Sequence, residues 1–176
     1  LRGLDPAPGP EMKSTGEVMG SHKNAAAAYL KARMATEIPV PTHGGVYITV
    51  KDSDKESIIS LAKSLKDMEF DLYATRGTAA VLRERGGLEV NSAYRIAEQG
   101  SPDALDLMRD GKIQLIINTP TNSGGAVLDG NMMRRLAVEL NIPFVTTMSG
   151  ATMEVQAVAE MIKGLPEPRS LTIGTV

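Results

Sequence analysis

The length, composition and charge of the chain limit the classes of protein to which it can belong. Its 176 residues suit one domain with an N-terminal extension, and 19 basic against 21 acidic residues leave a formal net charge of −2, which argues against a nucleic-acid partner. The absence of cysteine excludes disulfides and thiolate-bound metals. No apolar run approaches the roughly 20 residues that span a bilayer, so we expect a cytoplasmic protein without a membrane partner.

The segment before the first predicted helix is polar and rich in glycine. Residues 10–20 read Pro-Glu-Met-Lys-Ser-Thr-Gly-Glu-Val-Met-Gly, a composition that does not suit a buried element. Because the chain begins with Leu1 rather than Met, we expect this segment to be the cut end of a longer protein. High helix propensity then predicts a helix between Ser21 and Glu37, with Ser21 as its cap.

Proline and glycine follow this helix and predict a linker. Pro39 and Pro41 end the helix, and His43-Gly44-Gly45 continues the non-helical stretch. We place the domain boundary near residue 40, so that residues 1–40 form an extension and residues 41–176 form one compact domain.

The rest of the chain alternates short apolar runs with helical segments about every 20 to 25 residues, which is typical of βα units around a parallel sheet. The predicted strands are Val46–Val50, Phe70–Thr75, Leu88–Ala93, Ile113–Asn118 and Ile142–Thr147, with Ser170–Ile173 as a candidate edge strand. The predicted helices are Asp54–Met68, Thr78–Arg85, Pro102–Asp110, Met132–Leu140 and Thr152–Lys163. We therefore predict an α/β, three-layer fold. A five-stranded, mainly parallel sheet carries helices on both faces, and Ile113–Ile117 is its central strand.

Two of these helices begin with recognisable capping signals. Ser53 with Glu56 three residues on predicts a capping box, and Ser101-Pro102 places a cap before a proline at the first helical position. Asp103 then reads as a first-turn acid that favours the helix N-terminus. The predicted buried stripe of the helix that follows Ser53 is Ile58, Ala62 and Leu65.

Candidate ligand-binding residues lie where the predicted strands end, because ligands of parallel sheets bind outside the carboxyl ends of the strands. The segments concerned are 49–55, 75–78, 94–99, 118–125 and 146–150. Thr75-Arg76-Gly77-Thr78 offers amides and two hydroxyls at a helix start, which suits either a phosphate or an ordinary helix cap. Lys55 places a positive charge near the start of its helix, where the helix macrodipole is also positive. It is therefore either a functional residue or a solvated surface lysine.

Other kinds of chemistry lack the motifs that they need. The stretch Thr119–Gly130 is predicted as a long loop that either wraps a ligand or serves as a mobile crossover. It contains no P-loop, and no dinucleotide fingerprint occurs in the chain. His22 and His43 are the only histidines and fall in or beside the linker, so we expect no metal site and no catalytic residue within these 176 residues.

Residues 10–20 resemble the close of the second ATP-grasp half of the carbamoyl-phosphate synthase large chain. The order of segments in residues 44–176, about three quarters of the chain, is similar to the methylglyoxal-synthase-like, Rossmann-like domain that follows in that family. The resemblance implies a non-catalytic allosteric module that binds uridine monophosphate (UMP) or inosine monophosphate (IMP). It also implies a parent ligase that makes carbamoyl phosphate for arginine and pyrimidine synthesis. That parent would use ATP with magnesium or manganese, pair with a small glutaminase subunit and respond to ornithine.

The resemblance also implies roles for individual residues. The family's phosphate pocket falls on Thr49, Lys55, Thr75 and Thr78, with Arg95 as a second cation. The positions nearer the ribose and base are Asn118, Thr119, Thr146 and Thr147. The chain departs from the family at Arg76, where histidine is common, and after Thr119, where Pro120 opens a different loop.

Two alternatives remain open at the level of the sequence. A methylglyoxal synthase would need a carboxylate base and a histidine acid beside the phosphate pocket. Asp103 or Asp106 falls near the place of the base, but no histidine precedes Met132 in the loop. A packing domain without a ligand would keep the fold and leave Lys55 and Arg95 apart.

Overall fold

The computed structural model describes residues 18–120 and 124–166, within which the chain forms six α-helices and five strands. The strands are β1 (Gly45–Thr49), β2 (Asp71–Thr75), β3 (Asn91–Ala93), β4 (Leu115–Asn118) and β5 (Phe144–Val145). The helices are α1 (Ala25–Met34), α2 (Lys55–Asp67), α3 (Arg76–Glu84), α4 (Ala104–Arg109), α5 (Gly124–Glu139) and α6 (Met148–Lys163). The strands form one parallel sheet in the order β3-β2-β1-β4-β5.

The core lies on both faces of this sheet because side chains alternate along each strand. Val46 and Ile48 of β1 pack into a cluster built with α2, α3 and α6. Tyr47, between them, packs into a second cluster built with α4 and α5. The predicted three-layer α/β fold is therefore confirmed. The predicted stripe of α2 is also confirmed, since its buried residues are Ile58, Ala62 and Leu65.

Several element boundaries differ from the prediction. The predicted loop at 119–130 is wrong from Gly124 onward, because α5 begins there. The predicted start of α6 at Thr152 is also wrong, because the Thr147 hydroxyl accepts a hydrogen bond from the Gly150 amide at 3.0 Å and caps a helix that begins at Met148. In both places glycines with low helix propensity lie inside the first turns, which favours a later helix start when the sequence is read alone.

Strands β2 to β5 are shorter than predicted, β1 keeps its predicted length but begins one residue earlier, and β1 rather than β4 is the middle strand. β3 includes only the last three residues of its apolar run, and β5 contains two residues. Within residues 18–120 and 124–166 both are outer strands with a single neighbour, so pairing specifies them less strongly. The candidate edge strand at 170–173 lies outside the described residues.

The capping prediction at Ser53 is wrong. A turn of 3-10 helix at Asp52–Asp54 precedes α2, the Ser53 hydroxyl bonds the Asp54 carboxylate at 3.2 Å, and Glu56 pairs with Arg85. Before α4 the cap is Asp103 rather than Ser101. Its Oδ1 accepts from the Asp106 amide at 2.9 Å, while Asp106 Oδ2 accepts from the Asp103 amide at 3.1 Å. The carboxylates thus act as the reciprocal cap of a short helix.

Helix α1 lies within the predicted Ser21–Glu37 segment but is shorter, and its cap is Asn24, whose side chain accepts from the Ala26 amide at 2.8 Å. The helix packs on α6, where Glu154 receives hydrogen bonds from Tyr29 at 2.8 Å and from Arg33 at 3.0 Å. The domain boundary near residue 40 stays a prediction. No helix within residues 18–120 and 124–166 is long and apolar enough to cross a membrane.

Candidate functional site

The register of the sheet aligns the polar ends of its inner strands. Thr49 at the end of β1 lies opposite Asn118 at the end of β4, and the preceding Ile48 lies opposite Ala74 of β2. The Thr119 amide donates to the Thr49 carbonyl at 3.1 Å, and its hydroxyl accepts from the Lys51 amide at 3.0 Å. The chain therefore presents hydroxyl and amide groups together at one edge of the sheet.

Helix α3 starts directly after β2 and points its N-terminus at this edge. Thr75 occupies the cap position, but its side chain makes no capping hydrogen bond. Instead its hydroxyl donates to the hydroxyl of Thr78, 3.3 Å away, and Thr78 is only 1% exposed. The reading of Thr75 as an ordinary side-chain cap is therefore wrong, and the positive end of the helix macrodipole is available to an anion.

Cationic side chains surround the start of α3. A side-chain carbon added at Gly77 would lie only 3.4 Å from Lys55 Nζ, so the ammonium lies over the first turn. Arg76 stacks on the Tyr94 ring at 5.3 Å from its centroid. These groups line an open cleft of about 900 Å³. All five predicted phosphate residues line this cleft, namely Thr49, Lys55, Thr75, Thr78 and Arg95.

Two carboxylates, which the sequence reasoning missed, also line the cleft and pair with its cations. Asp52 Oδ1 lies 2.7 Å from Lys55 Nζ, and Glu98 Oε1 lies 2.6 Å from Arg76 Nη2. The hydrogen bond from Lys55 lowers the pKa of Asp52, and the hydrogen bond from Arg76 lowers the pKa of Glu98. Asp52 falls within the predicted 49–55 segment, but its pairing depends on three-dimensional placement.

A second, inner compartment continues from the cleft. The two share Thr49, Val50, Thr75 and Arg95 as lining residues. The predicted ribose and base residues Asn118 and Thr119 line the inner compartment. Thr146 and Thr147 line neither compartment within the described residues, and Thr147 instead caps α6.

Asp129 of α5 also lines the inner compartment and was not predicted. Burial raises the pKa of its carboxyl, while the charge of Arg95 acts in the opposite direction. A sequence reading that continued α5 back to Gly124 would have placed this acid in the helix rather than in a loop. The compartment therefore combines hydroxyl, amide and carboxylate groups and offers both donors and acceptors.

The two histidines lie away from these compartments. His22 Nδ1 accepts from the Asn24 amide at 3.1 Å, and His43 Nδ1 is 3.3 Å from the Thr42 hydroxyl. Within residues 18–120 and 124–166, no three His, Cys, Asp or Glu side chains are arranged to hold a metal ion.

The fold and the cleft define a class of α/β domain with a parallel sheet and a polar, anion-suited pocket at the strand ends. The family described as the MGS-like domain matches residues 57–146, and the chain belongs to this family. Among solved structures it is similar to methylglyoxal synthase from Elizabethkingia anophelis NUHP1, with a TM-score of 0.57 and 15% identity over 77% of this chain and 97% of that chain. This likeness concerns the fold.

Curated relatives confirm the predicted resemblance to the carbamoyl phosphate synthase large chain. The chain is 47% identical to the C-terminal section of this large chain from Methanopyrus kandleri, over 92% of this chain and 29% of the relative. It is 45% identical to the section from Methanocaldococcus jannaschii, over 93% and 26% respectively. It is 41% identical to the large chain of Methanothermobacter thermautotrophicus, over 97% and 16%. The chain thus spans less than a third of the length of these relatives.

Proposed function

We propose that this domain is the allosteric regulatory domain of a carbamoyl phosphate synthase large chain and that it binds a nucleoside monophosphate of the UMP or IMP type in the cleft. The whole protein would be a cytoplasmic ligase that uses ATP and magnesium or manganese and works with a small glutaminase subunit. Its product would serve arginine and pyrimidine biosynthesis. The domain itself would perform no catalysis and would need no cofactor.

The observation that carries this proposal is the convergence of Lys55, Arg95 and three threonines on one cleft at the start of α3. A phosphate monoester needs cations and several hydrogen-bond donors, and helix N-termini supply oriented amides. The residues come from separate parts of the chain, and only the parallel sheet brings them together. A packing domain has no need for such a convergence.

The nucleoside part of the ligand would lie toward the polar groups of the inner compartment. Asn118 presents an amide that both donates and accepts, and Asp129 presents a carboxylate that accepts from ribose hydroxyls. With the phosphate at α3, the sugar and base would extend toward β4 and α5. Base discrimination would then depend on Asn118 and on the start of α5.

The fold likeness to methylglyoxal synthase and the raised pKa of Asp129 favour a second candidate, a phosphate lyase acting on dihydroxyacetone phosphate. That reaction also calls for a histidine acid, and neither His22 nor His43 lines the cleft. Asp103 is engaged in the cap of α4. Methylglyoxal formation from dihydroxyacetone phosphate, abolished by Asp129→Asn, would support the lyase over the regulatory domain.

The regulatory proposal is tested in the full-length protein, because regulation requires that the ligand bind active and inactive forms differently. The rate of carbamoyl phosphate formation is measured with and without UMP or IMP, in the natural protein and in Lys55→Ala. We expect a nucleotide to change the rate of the natural protein and to change that of Lys55→Ala much less. An equal response in both proteins would contradict the cleft as the effector site.

A further inference from the structure

Lys55, the cation nearest the start of α3, already bonds a carboxylate of its own chain. Asp52 Oδ1 is 2.7 Å from Lys55 Nζ, the distance of a charge-assisted hydrogen bond. The same ammonium lies over Gly77 in the first turn of α3. The hydrogen bond and charge of Lys55 lower the pKa of the Asp52 carboxyl, and the charge of Arg95 lowers it further. An internal anion therefore interacts with both cations of the proposed phosphate site.

The surroundings of Asp52 allow this carboxylate to leave. Its side chain is 95% exposed, while that of Lys55 is 24% exposed, so the lysine stays at the cleft when the aspartate moves. Asp52 stands in a single 3-10 turn before α2 and holds no helix cap. Glu98, the other carboxylate of the cleft, differs in this respect. It accepts from the Arg95 amide at 3.0 Å as well as from Arg76 and so supports the local backbone.

We infer that Asp52 is an internal competitor of the ligand phosphate, which must replace the Asp52 carboxylate at Lys55 in order to bind. This inference rests on the proposed function and adds a residue that limits affinity. The exchange of one anion for another keeps Lys55 paired before and after binding. It favours a phosphate with two negative charges over singly charged anions, because a single charge only matches the carboxylate that it displaces.

The expected effect of Asp52 is modest because the pair is exposed to solvent. Solvent screens an exposed ion pair strongly, so we expect the affinity to change by only about 1.4- to 5-fold. Removal of the competing charge should strengthen binding, whereas removal of a residue that contacts the ligand would weaken it. The sign of the change therefore separates a competitor from a supporting residue.

The test compares Asp52→Asn with Asp54→Asn by calorimetric titration with UMP and IMP, and with inorganic phosphate followed at the Gly77 amide by NMR. Asp54 is the matched control, since it pairs with Lys51 at a longer 3.8 Å and does not line the cleft, yet its substitution changes the net charge equally. We expect about 1.4- to 5-fold tighter binding for Asp52→Asn and a clearly smaller gain for Asp54→Asn.

Each outcome separates the inference from the function on which it rests. Equal gains in affinity in both variants would show that the effect follows from the net charge of the protein. Weaker binding in Asp52→Asn would show that the carboxylate supports the ligand site. Either result overturns the inference and leaves the proposed function in place. Tighter phosphate binding in Asp52→Asn without nucleotide binding in either protein would keep the inference and overturn the proposed function. No response to phosphate or nucleotide in any of the proteins would overturn both.

Discussion

Two contacts of the same chemistry, a carboxylate with a cation, lie in different regions of the molecule and differ in burial. In the cleft, Asp52 of the Lys55 pair is 95% exposed. Between α1 and α6, Glu154 of the Arg33 pair is 1% exposed. Water can hydrate Asp52 or Lys55 when their ion pair separates, so separation costs little free energy. Glu154 is buried, so water cannot hydrate it in the same way if Arg33 is removed. Burial, rather than charge, therefore separates a contact that a ligand can exchange from a contact that holds two helices together.

The Glu154 contact is also more completely bonded. Arg33 donates from Nε at 3.0 Å and from Nη2 at 3.1 Å, and the Tyr29 hydroxyl donates at 2.8 Å. Burial and the neighbouring Glu154 charge raise the pKa of Tyr29, so this phenol stays protonated and keeps donating. Leu30 of the same helix is fully buried beside this network. The network thus ties α1 to the sheet domain.

The largest expected effect is therefore on stability. Glu154→Ala should lower the free energy of unfolding by about 3 kcal/mol or more, because it leaves Arg33 without its buried partner. Urea unfolding measures this change. The matched control is Glu160→Ala on the same helix, whose exposed pair with Lys163 spans 3.0 Å and should contribute at most about 0.5 kcal/mol. Equal losses of unfolding free energy in Glu154→Ala and Glu160→Ala would contradict the conclusion that burial separates the two kinds of ion pair.

The next effect is on ligand affinity. Lys55→Ala should weaken binding of the nucleoside monophosphate by about 10- to 100-fold, since hydrogen bonds to charged groups contribute about 1.5 to 3 kcal/mol. The thermal midpoint should change little. Calorimetry measures the affinity, with Lys63→Ala as the control because Lys63 lies on the exposed side of the same helix. Unchanged affinity in Lys55→Ala would remove the proposed phosphate site.

A smaller loss of affinity is expected at Thr78. Thr78→Val keeps the shape of this buried side chain and removes its hydroxyl, so binding should weaken by about 3- to 10-fold if that hydroxyl donates to the phosphate. The same titration provides the affinity, and a thermal melt checks that the core is intact. A loss of stability with no loss of affinity would show that Thr78 serves packing alone.

The smallest effect concerns the pH dependence of stability. Burial holds the pKa of Asp129 above the ordinary value of 3.8 in the folded chain, so the folded state retains this proton to higher pH than the unfolded state. The free energy of unfolding should therefore fall as pH rises from the ordinary value through the raised one. Asp129→Asn should flatten this decline in urea unfolding. The exposed Glu89→Gln is the control, and an unchanged slope in Asp129→Asn would contradict the assignment.

Much of the fold could be predicted because apolar runs mark parallel strands and glycine and proline mark the turns between them. The segments that line the cleft could be predicted together because parallel strands end at one edge of the sheet. The five residues proposed to bind phosphate were instead implied by the family resemblance. The start of α5 could not be predicted, because Gly124 and Gly125 have low helix propensity and are typical of a loop.

The carboxylates of the cleft were missed for a different reason. Asp52 and Glu98 are separated by 46 positions in the sequence. Each is identified as part of the cleft only by its ion pair with a neighbouring cation, Lys55 for Asp52 and Arg76 for Glu98. Side-chain pairing of this kind follows from the relative placement of turns, which no local pattern encodes. Asp129 was missed because its helix was predicted as a loop.

The regulatory role proposed for this domain depends on whether the cleft at the start of α3 binds a nucleoside monophosphate. Calorimetric titration of this chain with UMP and IMP, at low and at physiological salt, tests it most directly. We expect saturable binding of one of the two nucleotides at a single site, weaker at the higher salt because exposed charges are screened. No heat of binding from either nucleotide at both salt concentrations would contradict the claim.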